Sequence, residues 1–122
     1  MTLIDSTCWI QAIRKNGDEA IKKRVQEIMR RGEAAWCPMV RLELWSGAGS
    51  DKDRALLVDM ERTVHELPID EMVWQEACDL AGKTRRKGKP VPATDILIFA
   101  CAKRHKAELE HADNHFNLLK GL

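Results

Sequence analysis

Four acidic residues, far apart along the chain, stand where carboxylates can do chemistry: Asp5, Glu43, Asp95 and Asp113. Asp5 closes the apolar pair Leu3-Ile4, and Glu43 lies in MVRLELWS ahead of the break Gly47-Ala48-Gly49. Asp95 opens the apolar run DILIFACAKR, and Asp113 follows AELEHA. Gathered into one pocket, four carboxylates would repel one another and raise their own pKa values unless a cation lay between them. The cation that suits them is hard and divalent. Mg²⁺ or Mn²⁺ takes oxygen ligands, keeps several waters, and is typically held by a few carboxylates plus substrate phosphate. Such a site polarises a phosphodiester and activates water as nucleophile. The expected chemistry is therefore phosphodiester hydrolysis without a side-chain nucleophile, with these four acids as metal ligands and catalytic residues. Taken singly, each is as well explained as a helix cap or a strand-end surface acid, and Asp95 suits a helix N-terminus by dipole alone.

The elements that would gather the acids can be read from periodicity and punctuation. Thr2 to Asp5 is expected as a short buried strand, followed by a helix from Ser6 to about Lys15 that closes at Asn16-Gly17. Asp18 caps the next helix, whose Ile21, Val25 and Ile28 share one face, and Gly32 ends it. Ala34 to Cys37 is a second strand halted by Pro38, and residues 39–46 return to helix. Ser50 with Asp53 resembles a capping box, opening a helix that carries Leu56, Leu57 and Met60. Val64 to Leu67 is a third strand ended by Pro68, and Asp70 caps a long helix with Val73, Ala77 and Leu80 inward, which stops by Gly88. Residues 95–104 form an apolar helix with Asp95 in its first turn, Ala107 to Glu110 a last strand, and Asp113 begins a final helical turn. Strands alternating with helices imply parallel pairing and a three-layer α/β/α sandwich around a mostly parallel sheet. In such sheets ligands bind at the carboxyl ends of the strands, the edge that all four acids can face.

Composition sets the outer limits. A chain of 122 residues with 44% apolar and 32% charged residues reads as one globular domain, residues 1–122, and excludes global disorder. No apolar run approaches the ~18 residues a membrane span needs. The opening MTLIDSTCWI has no basic start or long apolar stretch, so the expected location is the cytoplasm. Cys8, Cys37, Cys78 and Cys101 show no CxxC spacing, each lies in an apolar context, and buried free thiols are expected. A net charge of +1 provides no global attraction to nucleic acid, so RNA contact must come from local patches.

Four segments, in order and spanning nearly the whole chain, resemble the motifs of PIN-domain nucleases: LIDSTCWI, VRLELWSGA, VPATDILIFACAKRH and AELEHADNHFNL. Each is weak alone, and together they are fairly specific. The resemblance extends to the VapC-like toxins of VapBC-type toxin–antitoxin pairs. It implies a metal-dependent endoribonuclease in which Asp5, Glu43, Asp95 and Asp113 hold one or two Mg²⁺ or Mn²⁺ ions, with Asp5 and Asp95 most central. It implies that Ser6 or Thr7 orients a carboxylate or bound water. It also implies tRNA or rRNA as substrate, a co-expressed antitoxin that silences the enzyme, and a homodimer of the free chain. The last motif departs from the family pattern, where Thr commonly stands at the position of His111 and a further Asp often at that of His115.

Other features admit two readings each. Lys83, Arg85, Arg86, Lys87 and Lys89 crowd into KTRRKGKP just ahead of Asp95. Arg85, Arg86 and Lys87 are candidates for RNA phosphate contact, and the alternative is a solvated helix C-terminus favoured by its dipole. His111 and His115 are spaced i, i+4 without the Glu of HExxH, which points to a surface or supporting role rather than a zinc site. Trp9, Trp36, Trp45 and Trp74 are assigned mostly to the core. By the resemblance, Trp9 or Trp45 anchors an antitoxin. The groove for an antitoxin helix is expected between the first two helices, lined by Trp9, Ile10, Ile13, Val25, Ile28 and Met29. Two competing readings are a PIN-like module that binds RNA or protein without cutting it, and a receiver-like Mg²⁺-binding regulatory domain. The first would have lost ligand acids, and the second wants adjacent acids after strand one, where Asp5 instead follows Ile4.

Overall fold

Short strands buried on both faces need helices on either side, and the chain supplies them in alternation. The computed structural model describes all residues from Met1 to Leu122. The elements run β1 (Thr2–Ile4), α1 (Ser6–Ile13), α2 (Glu19–Arg30), β2 (Ala34–Trp36), α3 (Pro38–Ser46) and α4 (Asp51–Thr63). There follow β3 (His65–Glu66), α5 (Glu71–Arg86), α6 (Ala93–Arg104), β4 (Glu108–Glu110) and α7 (Asn114–Lys120). The four strands form one sheet in the order β3-β2-β1-β4, and every pairing is parallel. Thr2 faces Ala34 on one side and Glu108 on the other. The first two crossovers step one way across the sheet and the third steps back past β1; right-handed connections then place helices on both faces. This is the expected α/β/α sandwich, with a wholly parallel sheet. The change of direction makes the β1–β4 seam the topological switch point, where such sheets open a crevice at their carboxyl ends.

The local signals that punctuate the chain act as read. Asp18 accepts from the Ile21 amide at 2.9 Å, Ser50 Oγ from Asp53 at 3.1 Å, and Asp70 from Val73 at 3.0 Å; such caps contribute about 1 kcal/mol each. Asp53 does not complete a reciprocal box, because its carboxylate turns to the Gly49 amide at 3.3 Å. Pro38 begins α3 rather than merely ending β2, since the first helical turn has no use for its missing N–H. At Gly17 a Cβ would lie 1.8 Å from the Gln11 carbonyl oxygen, so only glycine lets the α1–α2 turn close.

Leu3, Ile4, Trp36, Val40, Ile98 and Phe116 anchor one continuous core. Trp9 and Trp36 meet edge to face with ring centroids 6.3 Å apart, the geometry aromatic quadrupoles favour. Two expectations about burial need correction. Trp74 is 49% exposed on the outer face of α5, and Cys78, one turn on, is exposed as well. Both lie off the Val73–Ala77–Leu80 stripe that α5 turns inward. The other three cysteines are buried free thiols, as expected. No helix is long and apolar enough to cross a membrane.

Candidate metal centre

The β1–β4 seam sets the first donor. Asp5 immediately follows β1, its backbone N–H donates to Glu110 O at 3.0 Å, and its side chain is buried. β2 leads into α3, which carries Glu43, half-buried, in its second turn. α6 runs back toward the start of β4, which puts its first turn, with Asp95, at the same carboxyl edge. Asp113 follows β4 and caps α7, accepting from the His115 amide at 2.9 Å. All four acids expected to form the site therefore converge on one edge of the sheet.

Their electrostatics report the crowding. Burial pushes the Asp5 carboxyl up to about 6, reinforced by the charges of Glu43 and Asp95; the backbone N–H groups of Ser6 and Thr7 pull the other way without cancelling the rise. Glu43 is raised by burial and by Asp95, against a hydrogen bond donated by Ser6 Oγ to its Oε1 at 3.2 Å. Asp95 is raised by burial and by Asp113, against a hydrogen bond from His115. No lysine or arginine pairs with any of the four. Buried Asp5 and half-buried Glu43 have no basic side chain against them, which is destabilising as they stand. Their donor set fits a hard divalent ion, whose charge would reverse these shifts.

His115, expected in a surface or supporting role, joins the cluster. Its Nδ1 lies 3.0 Å from Asp95 Oδ2 and 3.1 Å from Asp113 Oδ1. Donor atoms of Asp95, Asp113 and His115 all fall within 4.8 Å of one another. The available signal was its place two residues after Asp113 at the start of a helix, rather than its spacing from His111. His111 stays outside the cluster. Its ring packs on Phe116 with centroids 4.9 Å apart, and its Nδ1 receives the Asp113 amide at 3.4 Å. Of the two hydroxyl candidates, Ser6 touches Glu43, whereas Thr7 is exposed and reaches Asp5 only through its backbone N–H.

A family model for the PIN domain matches residues 2–122. The chain belongs to the PIN-domain family. Its similarity to named relatives runs over most of the chain. It is 32% identical over 127 aligned positions to VapC ribonuclease Mb1587 of Mycobacterium bovis, covering 98% of this chain and 91% of the relative. To Ribonuclease VapC21 of Mycobacterium tuberculosis it is 27% identical over 106 positions, covering 84% and 77%. Among solved structures, VapBC-1 from nontypeable Haemophilus influenzae superposes with a TM-score of 0.80 at 21% identity, over 99% of this chain and 93% of the other. FitAcB from Neisseria gonorrhoeae gives 0.76 at 17%, over 100% and 94%. These likenesses establish the PIN fold independently of the sheet topology.

Around the PIN site lie two further features. Arg85, Arg86 and Lys87 are exposed at the end of α5. Arg85 and Lys89 line an open hollow of about 490 Å³ with Thr84, Pro90, Val91 and Ala93, reaching the first residue of α6. Three of the six residues expected to line a groove between the first two helices are buried. α1 and α2 pack on each other, so Trp9, Val25 and Ile28 are buried, while Ile13 and Met29 stay exposed. An apolar groove lies instead between α1, α3 and α4, about 310 Å³, lined by Ile10, Ile13, Leu44, Ala48, Leu56 and Leu57. Trp45 on α3 is half-buried and donates its Nε1–H to Glu61 at 3.2 Å. Trp9, only 1% exposed, has no surface to offer a partner.

Proposed function

We propose that this PIN domain, spanning residues 1–122 as a single unit, is a divalent-metal-dependent endoribonuclease and the toxin of a type II toxin–antitoxin module. The observation that carries the reading is the cluster of Asp5, Glu43, Asp95 and Asp113, drawn from four elements to the switch point with no lysine or arginine to neutralise it. The names of its VapC ribonuclease relatives support the RNA-cleaving assignment. Asp5, Glu43, Asp95 and Asp113 would hold Mg²⁺ or Mn²⁺, which when bound supplies Lewis acidity to a phosphodiester and lowers the pKa of coordinated water.

The chain's own groups do the rest. By the resemblance Asp5 and Asp95 are the most central ligands, and repulsion from Asp95 or Asp113 adds to the raised pKa of Asp5, Glu43 and Asp95. Ser6 fixes one oxygen of Glu43 through its hydroxyl and so limits the rotamers from which that carboxylate can act. Arg85, Arg86 and Lys87, on the segment leading to α6, supply positive charge for RNA phosphates. The substrate expected by family resemblance is tRNA or rRNA.

A cognate antitoxin is the second partner. The apolar groove between α1, α3 and α4 suits the apolar face of an amphipathic helix, and a basic side chain from the same partner would answer the uncompensated acids. Homodimerisation, also expected, could use exposed apolar side chains such as Leu42 on α3 or Met72 and Trp74 on α5. The deciding experiment incubates purified chain with bulk RNA in Mg²⁺, in Mn²⁺ and in EDTA, beside Asp5→Asn and Asp95→Asn. Cleavage that needs metal and disappears in both variants is the expected result. Undiminished cleavage in both variants, or none from wild type in either metal, overturns it.

A further inference from the structure

Family resemblance leads to an all-carboxylate site for a hard ion, yet one donor in this cluster is an imidazole. His115 Nδ1 stands 3.0 Å from Asp95 Oδ2 and 3.1 Å from Asp113 Oδ1, and donor atoms of the three residues all lie within 4.8 Å of one another. Adjacent donors on an octahedral ion bound at about 2.1 Å are about 3 Å apart. The two N–O spacings that let a shared proton hold the groups together are thus also those between neighbouring donors of a coordination shell. Nor is His115 needed elsewhere: it is half-exposed, and Phe116 and Leu119 do the packing of α7 against the core. Once an ion displaces the shared proton, the Nδ1 lone pair is available to it.

We propose that His115 ligates the divalent ion together with Asp95 and Asp113, and that this nitrogen donor biases the site toward first-row transition ions such as Mn²⁺, Co²⁺ and Zn²⁺ at the expense of Mg²⁺. The chemistry is general. Imidazole suits borderline metals, Mg²⁺ prefers oxygen and gives up its waters reluctantly, and nitrogen-containing sites rise in affinity along the Irving–Williams order. Asp5 and Glu43 complete the set with oxygen, which keeps the site able to bind Mg²⁺ but not selective for it. The inference rests on the metal-dependent reading above, and it concerns which ion is held rather than what is cleaved.

The test uses metal-free full-length protein and reads binding without RNA. Mg²⁺, Mn²⁺ and Co²⁺ are titrated by calorimetry into wild type, His115→Asp and His115→Ala, with far-ultraviolet circular dichroism in EDTA as the control for folding. In His115→Asp the Co²⁺-to-Mg²⁺ affinity ratio is expected to fall by about tenfold or more, with Mg²⁺ binding kept or improved. In His115→Ala, Co²⁺ is expected to weaken more than Mg²⁺. Zn²⁺ added to ¹⁵N-histidine-labelled wild type should move the Nδ1 resonance of His115 and leave that of His111 in place, a readout that needs no variant to fold. An unchanged affinity ratio in both variants, or an unmoved His115 Nδ1 resonance at saturating Zn²⁺, overturns the proposal. Failure of the nuclease reading would appear differently, as intact metal selectivity without RNA cleavage.

Discussion

Asp5→Asn should make the metal-free protein more stable while disabling it. The carboxyl is buried, and its pKa rises from the ordinary 3.8 to about 6, first through burial and then through Glu43 and Asp95. Well below pH 4 Asp5 holds its proton in both folded and unfolded chains, so it costs nothing. Between about pH 4 and 6 the unfolded chain has released the proton while the folded one keeps it, so stability falls across that window and levels off above it. A rise of this size at 1.36 kcal/mol per pH unit amounts to about 3 kcal/mol by pH 7. At about 4 °C per kcal/mol for a domain of this length, the amide variant should melt about 12 °C higher at pH 7 in EDTA. The assay is thermal unfolding of both proteins in EDTA between pH 4 and 8. The two curves should nearly coincide at pH 4 and separate toward pH 7, and the gap should shrink when wild type is saturated with Mn²⁺. A gap that is the same at every pH, or a variant less stable at pH 7, would refute the claim that crowded charge strains this centre.

Ser6→Ala removes the hydroxyl bond to Glu43 without touching a core side chain, and should weaken metal binding by about tenfold in calorimetry while circular dichroism stays unchanged. Replacing Arg85, Arg86 and Lys87 together by Ala should weaken RNA binding and flatten the slope of log affinity against log salt by about 2, as expected for three lost single-strand phosphate contacts; filter binding at several salt concentrations measures it. Ile13→Asp and Leu56→Asp each place a charge in the apolar groove. Either should abolish co-purification with the antitoxin in a pull-down yet leave RNA cleavage intact.

The acids were legible because each sits at a boundary that local chemistry announces. Asp5 ends an apolar pair, Asp113 precedes a helix it caps, and Asp95 lies in a first turn. The sheet's direction then carries them to one edge without any long-range detail. The caps at Asp18, Ser50 and Asp70 were legible for the same reason. What failed depended on which surface packs on which. The Val25–Ile28 stripe announces burial but not its partner, and the partner is α1 rather than an incoming helix. Trp74 is large and apolar, and only its angular position on α5 decides that it faces out. β3 shrinks to two residues because it pairs with β2 alone at the sheet's edge. His115 could not be assigned from its i, i+4 partner, since His111 is drawn onto Phe116 while His115 is drawn to Asp95.

The seam between β1 and β4 has a mechanical consequence. β4 is an edge strand of three partly exposed residues, bonded only to β1 and entered through Lys106 in a left-handed conformation. Segments of that kind open at low energy while the rest of a domain stays closed. Asp5 lies on one lip of this seam and Asp113 on the other. An ion gripping both lips would act as a clasp, and it would also close a chain loop that runs most of the way round the molecule. Amide hydrogen exchange should register the clasp directly, with the Asp5 amide that donates to Glu110 O and the Leu109 and Glu110 amides slowing most when metal is added.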